Sequence, residues 1–356
     1  MRHLAAAARA AAAVGTLALV AVCASPVFSA VAGVAATAAP TMPAPPAAAV
    51  NGAPAAQALP PNARSADVAE HARLASRSLL LDVATAGQRL VAVGERGHVL
   101  LSDDHGATWT QAETVPTREL LTGVCFSNAQ QGVVVGHDEV ILTTQDAGRT
   151  WTLAHFAPQS QQPLLDVACA GNDRVIAVGA HGVYFISADG GRNWREHSLG
   201  QDFHLNKIAV ASAARLYIAA EGGHLYRSDD SGDTWHELTS GYEGSFFGVR
   251  PLHDDVVLAY GLRGNLFRSE DAGATWRKIE TGTLAMLNDA VKLDGDRTVA
   301  TVGLSGVVLV SHDAGKSFLL TQQEDRQGLS AAVAVGGNSL LAVGEGGVRV
   351  IEVKPQ

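Results

Sequence analysis

Six short polar stretches recur along the chain, each closed by an aromatic ring: "SDDHGATW", "TQDAGRTW", "SADGGRNW", "SDDSGDTW", "SEDAGATW" and "SHDAGKSF". The closing residues are Trp109, Trp151, Trp194, Trp235, Trp276 and Phe318, at separations of 42, 43, 41, 41 and 42 residues. All five tryptophans of the protein are used in this way. So regular a period restricts the chain to a repeat architecture, in which each unit buries its apolar face against its neighbours.

The units share more than this turn. Eight residues before its Ser or Thr stands Gly94, Gly136, Gly179, Ala220, Gly261 or Gly303. Three residues later comes Gly97, Gly182, Gly223, Gly264 or Gly306, with Glu139 in the second unit. Apolar runs such as "RLVAVG" and "GVYFIS" flank this pair. Short β-branched runs bounded by Gly, Asp and Asn predict strands joined by tight turns. The Gly-x-x-Gly is expected to be a hairpin turn in which glycine takes positive φ. In the second turn, Asp104, Asp146, Asp189, Asp230, Asp271 and Asp313 are expected to accept backbone N–H bonds while the aromatic ring folds onto apolar neighbours.

A seventh unit, "GLSAAVAVGGNSLLAVGEGGVRVIEV", repeats three strands with Gly344 and Gly347 in register, but lacks the fourth. Seven three-strand units and six fourth strands predict an all-β, seven-bladed β-propeller of four-stranded blades. The segment "ADVAEHARLASRSLL" before the first unit is expected to close the ring by supplying the missing strand, which would otherwise leave a bare edge.

With 47% hydrophobic and 17% charged residues over 356, the chain can bury a substantial core. Its net charge of -9 and lack of clustered Lys and Arg exclude a nucleic-acid footprint. Residues 1–32 combine Arg2, His3 and Arg9 with an apolar run and a small-residue cleavage site at Ala30-Val31-Ala32, the pattern of a signal peptide. Its removal takes away Arg2 and Arg9 and leaves a charge of -11. Residues 33–61 are Ala- and Pro-rich and expected to be a linker; residues 62–356 form the propeller. The expected location is periplasmic or secreted. Cys125 and Cys169 lie in apolar strand-like runs and are expected to be buried free thiols, one pair being no disulfide framework.

The polar turn resembles the Asp-box, or bacterial neuraminidase repeat. Together with "LLLDVATAGQRLVAVGERGHVLLSDDHGATW" it resembles the photosystem II stability and assembly factor family, which includes members in non-photosynthetic bacteria. The resemblance runs over residues 79–352 and implies a non-enzymatic propeller that binds a protein client during membrane-complex assembly. It does not imply the photosystem as client. The photosynthetic members carry a basic, arginine-rich patch. Here the corresponding turns hold more acids (Glu95, Asp138, Glu139, Glu221 and Glu345) than bases (Arg96 and Arg263), which points to another client.

In a four-stranded blade the second-to-third turns and the blade-to-blade connections share one face, opposite the Asp-boxes. Variable residues on a fixed scaffold are where binding usually resides. The candidate partner-binding residues are therefore Glu95, Arg96, His137, Asp138, His181, Glu221 and Arg263, with Tyr242 and Phe246 from the connection "GYEGSFF". Phe203 and His204 add a second longer connection. Aromatic and arginine side chains are the usual anchors of protein interfaces.

The Asp-box also invites a sialidase reading, but the customary Phe/Tyr-Arg-Ile-Pro motif is absent and only Arg96 and Arg263 lie in the Gly-x-x-Gly turns. Carboxylate pairs drawn from Glu95, Asp138 and Glu221 are what any acidic face offers. "SDDSGD" lacks the ligand pattern and closing Glu of a calcium loop, and no spacing of His137, Asp138 and His181 requires a metal. The chain is expected to be a monomeric, non-catalytic periplasmic propeller without metal or cofactor. Its expected partner is a protein of an envelope membrane complex or transporter. The alternative is a secreted glycan-binding or glycan-hydrolysing propeller.

Overall fold

The computed structural model describes residues 57–58, 68–253, 255–293 and 297–353. The expected signal peptide and most of the expected linker lie outside these residues. The described chain forms seven antiparallel sheets arranged as propeller blades. Blade 1 runs inner to outer as Leu80–Ala86, Arg89–Gly94, Val99–Ser102 and Thr110–Gln111. Blades 2 to 6 repeat this order, and their inner strands are Leu121–Phe126, Leu164–Gly171, Leu205–Val210, Phe246–Pro251 and Leu287–Lys292. The inner strand of blade 7, Leu329–Gly336, contacts that of blade 1, so the ring is closed. No described helix is long and apolar enough to cross a membrane.

The Asp turns hold each blade and wedge it against its neighbour. Asp104 accepts from the Thr108 N–H at 2.8 Å and the Thr108 hydroxyl at 2.6 Å, and Ser102 Oγ donates to it at 2.8 Å. The same set recurs around Asp146, Asp189, Asp230, Asp271 and Asp313. The turn glycine sits against the preceding blade: a Cβ on Gly106 would lie 2.1 Å from Leu341, and one on Gly232 2.5 Å from Ile176. The aromatic ring follows it in, and Trp151, Trp194 and Trp235 are only 4%, 3% and 2% exposed. Trp109, Trp276 and Phe318 are half-buried.

The second and third strands supply most of the core, as in Val91, Val93 and Val99 or Ile176, Val178 and Ile186, and alternate rows pack on either side of each sheet. The inner strands carry a charged ring that alternation of apolar residues does not announce. At equivalent register stand Asp82, Gly123, Asp166, Lys207, Gly248, Asp289 and Ala331. Lys207 Nζ lies 3.4 Å from Asp166 and 3.8 Å from Asp82. Each carboxyl also accepts a backbone N–H from the inner strand of the next blade: Val124 to Asp82 at 2.8 Å, Ile208 to Asp166 at 2.9 Å and Ala332 to Asp289 at 3.0 Å. The ring therefore bonds blade to blade through carboxyl oxygens that accept backbone N–H groups.

Two expectations are corrected here. Cys125 and Cys169 are not free thiols: they form a disulfide with Cα atoms 5.7 Å apart, joining the inner strands of blades 2 and 3. Residues 68–79 do not form the expected closing strand, and among the described residues blade 7 has three strands; the part of the expected segment before residue 68 lies outside them. Residues 68–79 instead take the place of a blade-to-blade connection. The Ala69 N–H donates to Val115 O and the Ala72 N–H to Gln111 Oε1, both on the blade 1 side, so these donors are unavailable to a ladder with blade 7. A one-turn 3-10 helix, Ala75–Arg77, then packs on the edge strand Gly347–Glu352. A Cβ on Gly347 would meet Ser76 O at 1.9 Å, just as one on Gly223 would meet Tyr242 O of a true connection at 1.8 Å. From the linker, Gln57–Ala58 pairs antiparallel with the outer strand of blade 3.

Three outcomes follow for stability. Trp194→Ala should cost roughly 3–5 kcal/mol in urea unfolding, as for other buried aromatics. Reducing the disulfide, which closes a 44-residue separation, should cost roughly 2–4 kcal/mol. Burial, only partly offset by Lys207, pushes the Asp82 carboxyl up to about 7, above its unfolded value. The folded state then holds a proton that the unfolded state has lost, so this contribution is full below about pH 4 and is lost as pH rises to about 7. The wild type should lose stability relative to Asp82→Asn across that interval. Parallel pH profiles of the two proteins would contradict this origin.

Candidate functional site

The Gly-x-x-Gly face is built from seven identical backbone anchors. The N–H after the first glycine, or after Ala220, donates to the carbonyl just before its own inner strand. These pairs run from Glu95 to Leu79, His137 to Leu120, Ala180 to Pro163 and Glu221 to His204, and from Leu262 to Ser245, Leu304 to Met286 and Glu345 to Gly328. The first glycine is extended, with Gly94 at φ -176°, so positive φ does not explain it. It is small because a Cβ there would lie 2.2 Å from Leu79 O. The second glycine does take positive φ, 70° at Gly97, and Glu139 holds φ 54° in its place.

Between the glycines lies a residue in the left-handed region. Glycine would adopt it without steric cost, and Gly222 does. Arg96, Asp138, His181, Arg263 and Ser305 adopt it with side chains, at φ 55–58°. Five strained positions at one level of a ring are a reason to seek function there.

The expected residues are distributed around the rim. Arg96 and Arg263 are exposed and have no carboxylate partner among the described residues. Glu95 is half-buried, with Oε1 3.4 Å from the Leu79 N–H. His137 is exposed overall, and desolvation of its ring by the neighbouring protein lowers its pKa. Asp138 is half-buried. His181 pairs with Asp202 at 2.5 Å, and its ring lies 5.8 Å from that of His204. Glu221 accepts from the His204 N–H and pairs with its Nδ1, both at 3.0 Å. Burial favours its neutral form, but the His204 bonds outweigh it and lower its pKa.

Tyr242 is half-buried and fixed. Its hydroxyl donates to Leu262 O at 3.3 Å and accepts from Asn265 at 3.2 Å, while its ring packs on Phe267. Phe246 is corrected: it is fully buried and cannot touch a partner. It opens its inner strand at the position held by Leu80, Leu121 and Leu164, which makes it a core residue of blade 5.

Reading the sequence does not reveal several members of this surface. A pocket of about 540 Å³ is lined by Tyr242, Glu243, Leu262, Arg263 and Asn265, and a second of about 290 Å³ also includes Arg263, with Lys278 and Leu284. Leu284 is 85% exposed in the connection after blade 5. Phe203 stacks on His224 at 4.3 Å, and His224 pairs with Glu237 at 2.5 Å. The sequence signal for Leu284 was a lone apolar residue in a connection, "TGTLAML", which pattern alone does not separate from core.

The opposite face is differently used. Arg89, Arg174, Arg227 and Arg268 donate to Ala147 O, Ser231 O, Ala272 O and Ala314 O, bracing the Asp turn of the next blade. Each also pairs with a carboxylate: Asp103, Asp233, Asp229 and Glu270 respectively. A pocket of about 450 Å³ beside Trp194 and His197 includes the Arg174–Asp233 pair. No group of three or more His, Cys, Asp and Glu among the described residues is arranged to hold a metal ion.

These features define a seven-bladed propeller with a strained, variable turn face and a braced Asp-turn face. The model of the Photosynthesis system II assembly factor YCF48 family matches residues 111–283. The structure described as YCF48 bound to D1 peptide is similar over 78% of this chain and 94% of that one, with TM-score 0.65 and 16% identity. YCF48 from Cyanidioschyzon merolae is similar over 77% and 95%, with TM-score 0.62 and 17% identity. The WD40 propeller domain of Doa1 has TM-score 0.61 and 13% identity over 81% and 96%. Among curated proteins none matches. The chain is thus similar to this family over residues 111–283, and the solved structures share its propeller fold.

If side chains are kept at the left-handed positions for binding, they are kept against stability. Arg96→Gly and Arg263→Gly should each stabilise the fold by about 0.5–1 kcal/mol, the left-handed penalty less the entropy of glycine. A loss of stability in urea melts would show that these arginines hold the turn instead.

Proposed function

We propose that the protein is a non-catalytic, exported propeller that binds a protein partner on its Gly-x-x-Gly face. The observation that carries this is the contrast between the faces. The bracing arginines of the Asp-turn face are engaged with the next blade, whereas Arg96 and Arg263 project from strained positions without carboxylate partners among the described residues. Arg263 stands between two pockets beside rigid Tyr242 and exposed Leu284, an arrangement of arginine, aromatic and aliphatic anchors suited to a peptide. The similar propeller described as YCF48 bound to D1 peptide supports a protein segment as the ligand class.

The leader supports export to the periplasm or beyond, and with it a partner in an envelope membrane complex or transporter. The acidic surplus of the turns separates this partner from a client that needs a broad basic patch. A sialidase-like reaction is disfavoured because the customary arginine motif is absent and only Arg96, in blade 1, and Arg263, in blade 5, lie in these turns.

Capture of envelope proteins from solubilised membranes tests the proposal. Replacing Arg96, Arg263 and Leu284 together by alanine should weaken capture by about a hundredfold, the sum of two or three modest anchors at 1.4 kcal/mol per decade. Melting should stay close to wild type, since all three are exposed. The same change at Arg149, Arg192 and Lys316 on the Asp-turn face should leave capture intact. The reverse pattern would place binding on the other face, and release of sugar from a polymeric glycan would make the protein an enzyme.

A further inference from the structure

We infer that the edge of blade 7 is a second docking site, which takes an extended segment of a protein partner, apolar on one side and acidic on the other, as the blade's fourth strand. This site is distinct from the Gly-x-x-Gly anchors and does not depend on them. The strand Gly347–Glu352 pairs with Ser339–Gly344 on one side, and among the described residues nothing pairs with its other side. Blades 1 to 6 each place an outer strand there. An edge of free N–H and C=O groups is the template on which peptides add by strand pairing.

Side chains around the edge specify what fits. The aromatic rings of Asp turns pack on the third and outer strands of the preceding blade, and for Trp109 that blade is the seventh. Its ring is half-buried and lines a pocket of about 400 Å³ with Ala72, Arg73, Ala75, Leu100 and Gln111. Val350 on the edge strand and Leu74 on the segment above it are 51% and 63% exposed. The edge strand and the segment above it therefore present exposed apolar side chains to one face of an entering strand.

Charge gives the other half. Arg73 and Arg77 are exposed on the 68–79 segment and have no carboxylate partner among the described residues. Arg349 on the edge strand is held by Asp325 and Gln327, Glu70 by Arg118, and Glu345 accepts from the Gly328 N–H, while Glu352 stands exposed at the far end of the edge strand; on the 68–79 side of the edge the exposed charges left are Arg73 and Arg77. An entering segment with Asp or Glu beside its apolar residues completes both, and a lysine-bearing one is repelled.

The test uses the full chain and two capped ten-residue peptides alternating valine with threonine and either glutamate or lysine. In hydrogen exchange the glutamate peptide should protect amides of residues 347–352, and by calorimetry it should bind at least about tenfold more tightly than the lysine peptide. The double variant Arg73→Ala, Arg77→Ala should remove that preference, and Val350→Pro, which deletes a backbone donor from the edge, should weaken binding of the glutamate peptide. If Val350→Pro lowers the melting temperature, the arginine pair decides alone. Variants at Arg96, Arg263 and Leu284 should bind the peptide as the wild type does, which separates this site from the proposed partner face. Equal binding of both peptides, or no protection at 347–352, overturns the inference. So does protection in the free protein, whether constant, which assigns the edge to the chain's own residues, or rising with protein concentration, which assigns it to a second copy.

Discussion

In each Asp turn one carboxylate bonds an N–H and a side-chain group four residues ahead, and this sets where the following aromatic ring points. With the turn closed, the ring has one direction available, into the preceding blade beside a glycine that permits contact. Blade order, blade tilt and the burial of the third and outer strands all follow from that wedge. Arginines then brace it from the neighbouring blade, so the Asp-turn face is committed to architecture.

The ring of inner strands has a different logic. Burying Asp82, Asp166 and Lys207 together is costly unless each is paired and bonded, and here the backbone donors of adjoining strands and the Lys207 ammonium supply that pairing. Burial works against the Lys207 charge, but Asp166, Asp82 and Asp289 outweigh it and raise its pKa well above the ordinary lysine value. Tyr260 fills the room left by Gly248, since a Cβ there would fall 2.2 Å from its ring. The axis is thus polar and specific in register, while the blades around it are packed apolar layers.

Much of this was legible in the chain because period and geometry coincide. The aromatic spacing counts blades, and the glycine pairs mark the turns between second and third strands. What escaped reading depends on comparing equivalent positions rather than scanning a run. Phe246 looks like a loop aromatic until set beside Leu205 and Leu287 at the head of their strands. Cys125 and Cys169 are 44 residues apart, close to one period, which puts them on adjacent inner strands. The charged ring recurs with the same period but is diluted by Gly123, Gly248 and Ala331. The last blade's missing fourth strand is countable in the sequence, but in the described part of the segment expected to fill it the Ala69 and Ala72 donors bond on the blade 1 side, and no sequence pattern announces that choice.

The two faces therefore divide the work: one commits its charges to holding blades together, and the other carries side chains at strained positions, among them Arg96 and Arg263, which have no carboxylate partner among the described residues. The most direct measurement of that division is site-specific photocrosslinking in intact cells. A benzophenone side chain would be placed in turn at His181, Arg263 and Ser305 on one face and at Arg149, Arg192 and Lys316 on the other. The account predicts crosslinks to one discrete protein partner from the first set and none from the second. A partner crosslinked from the Asp-turn positions alone would contradict it.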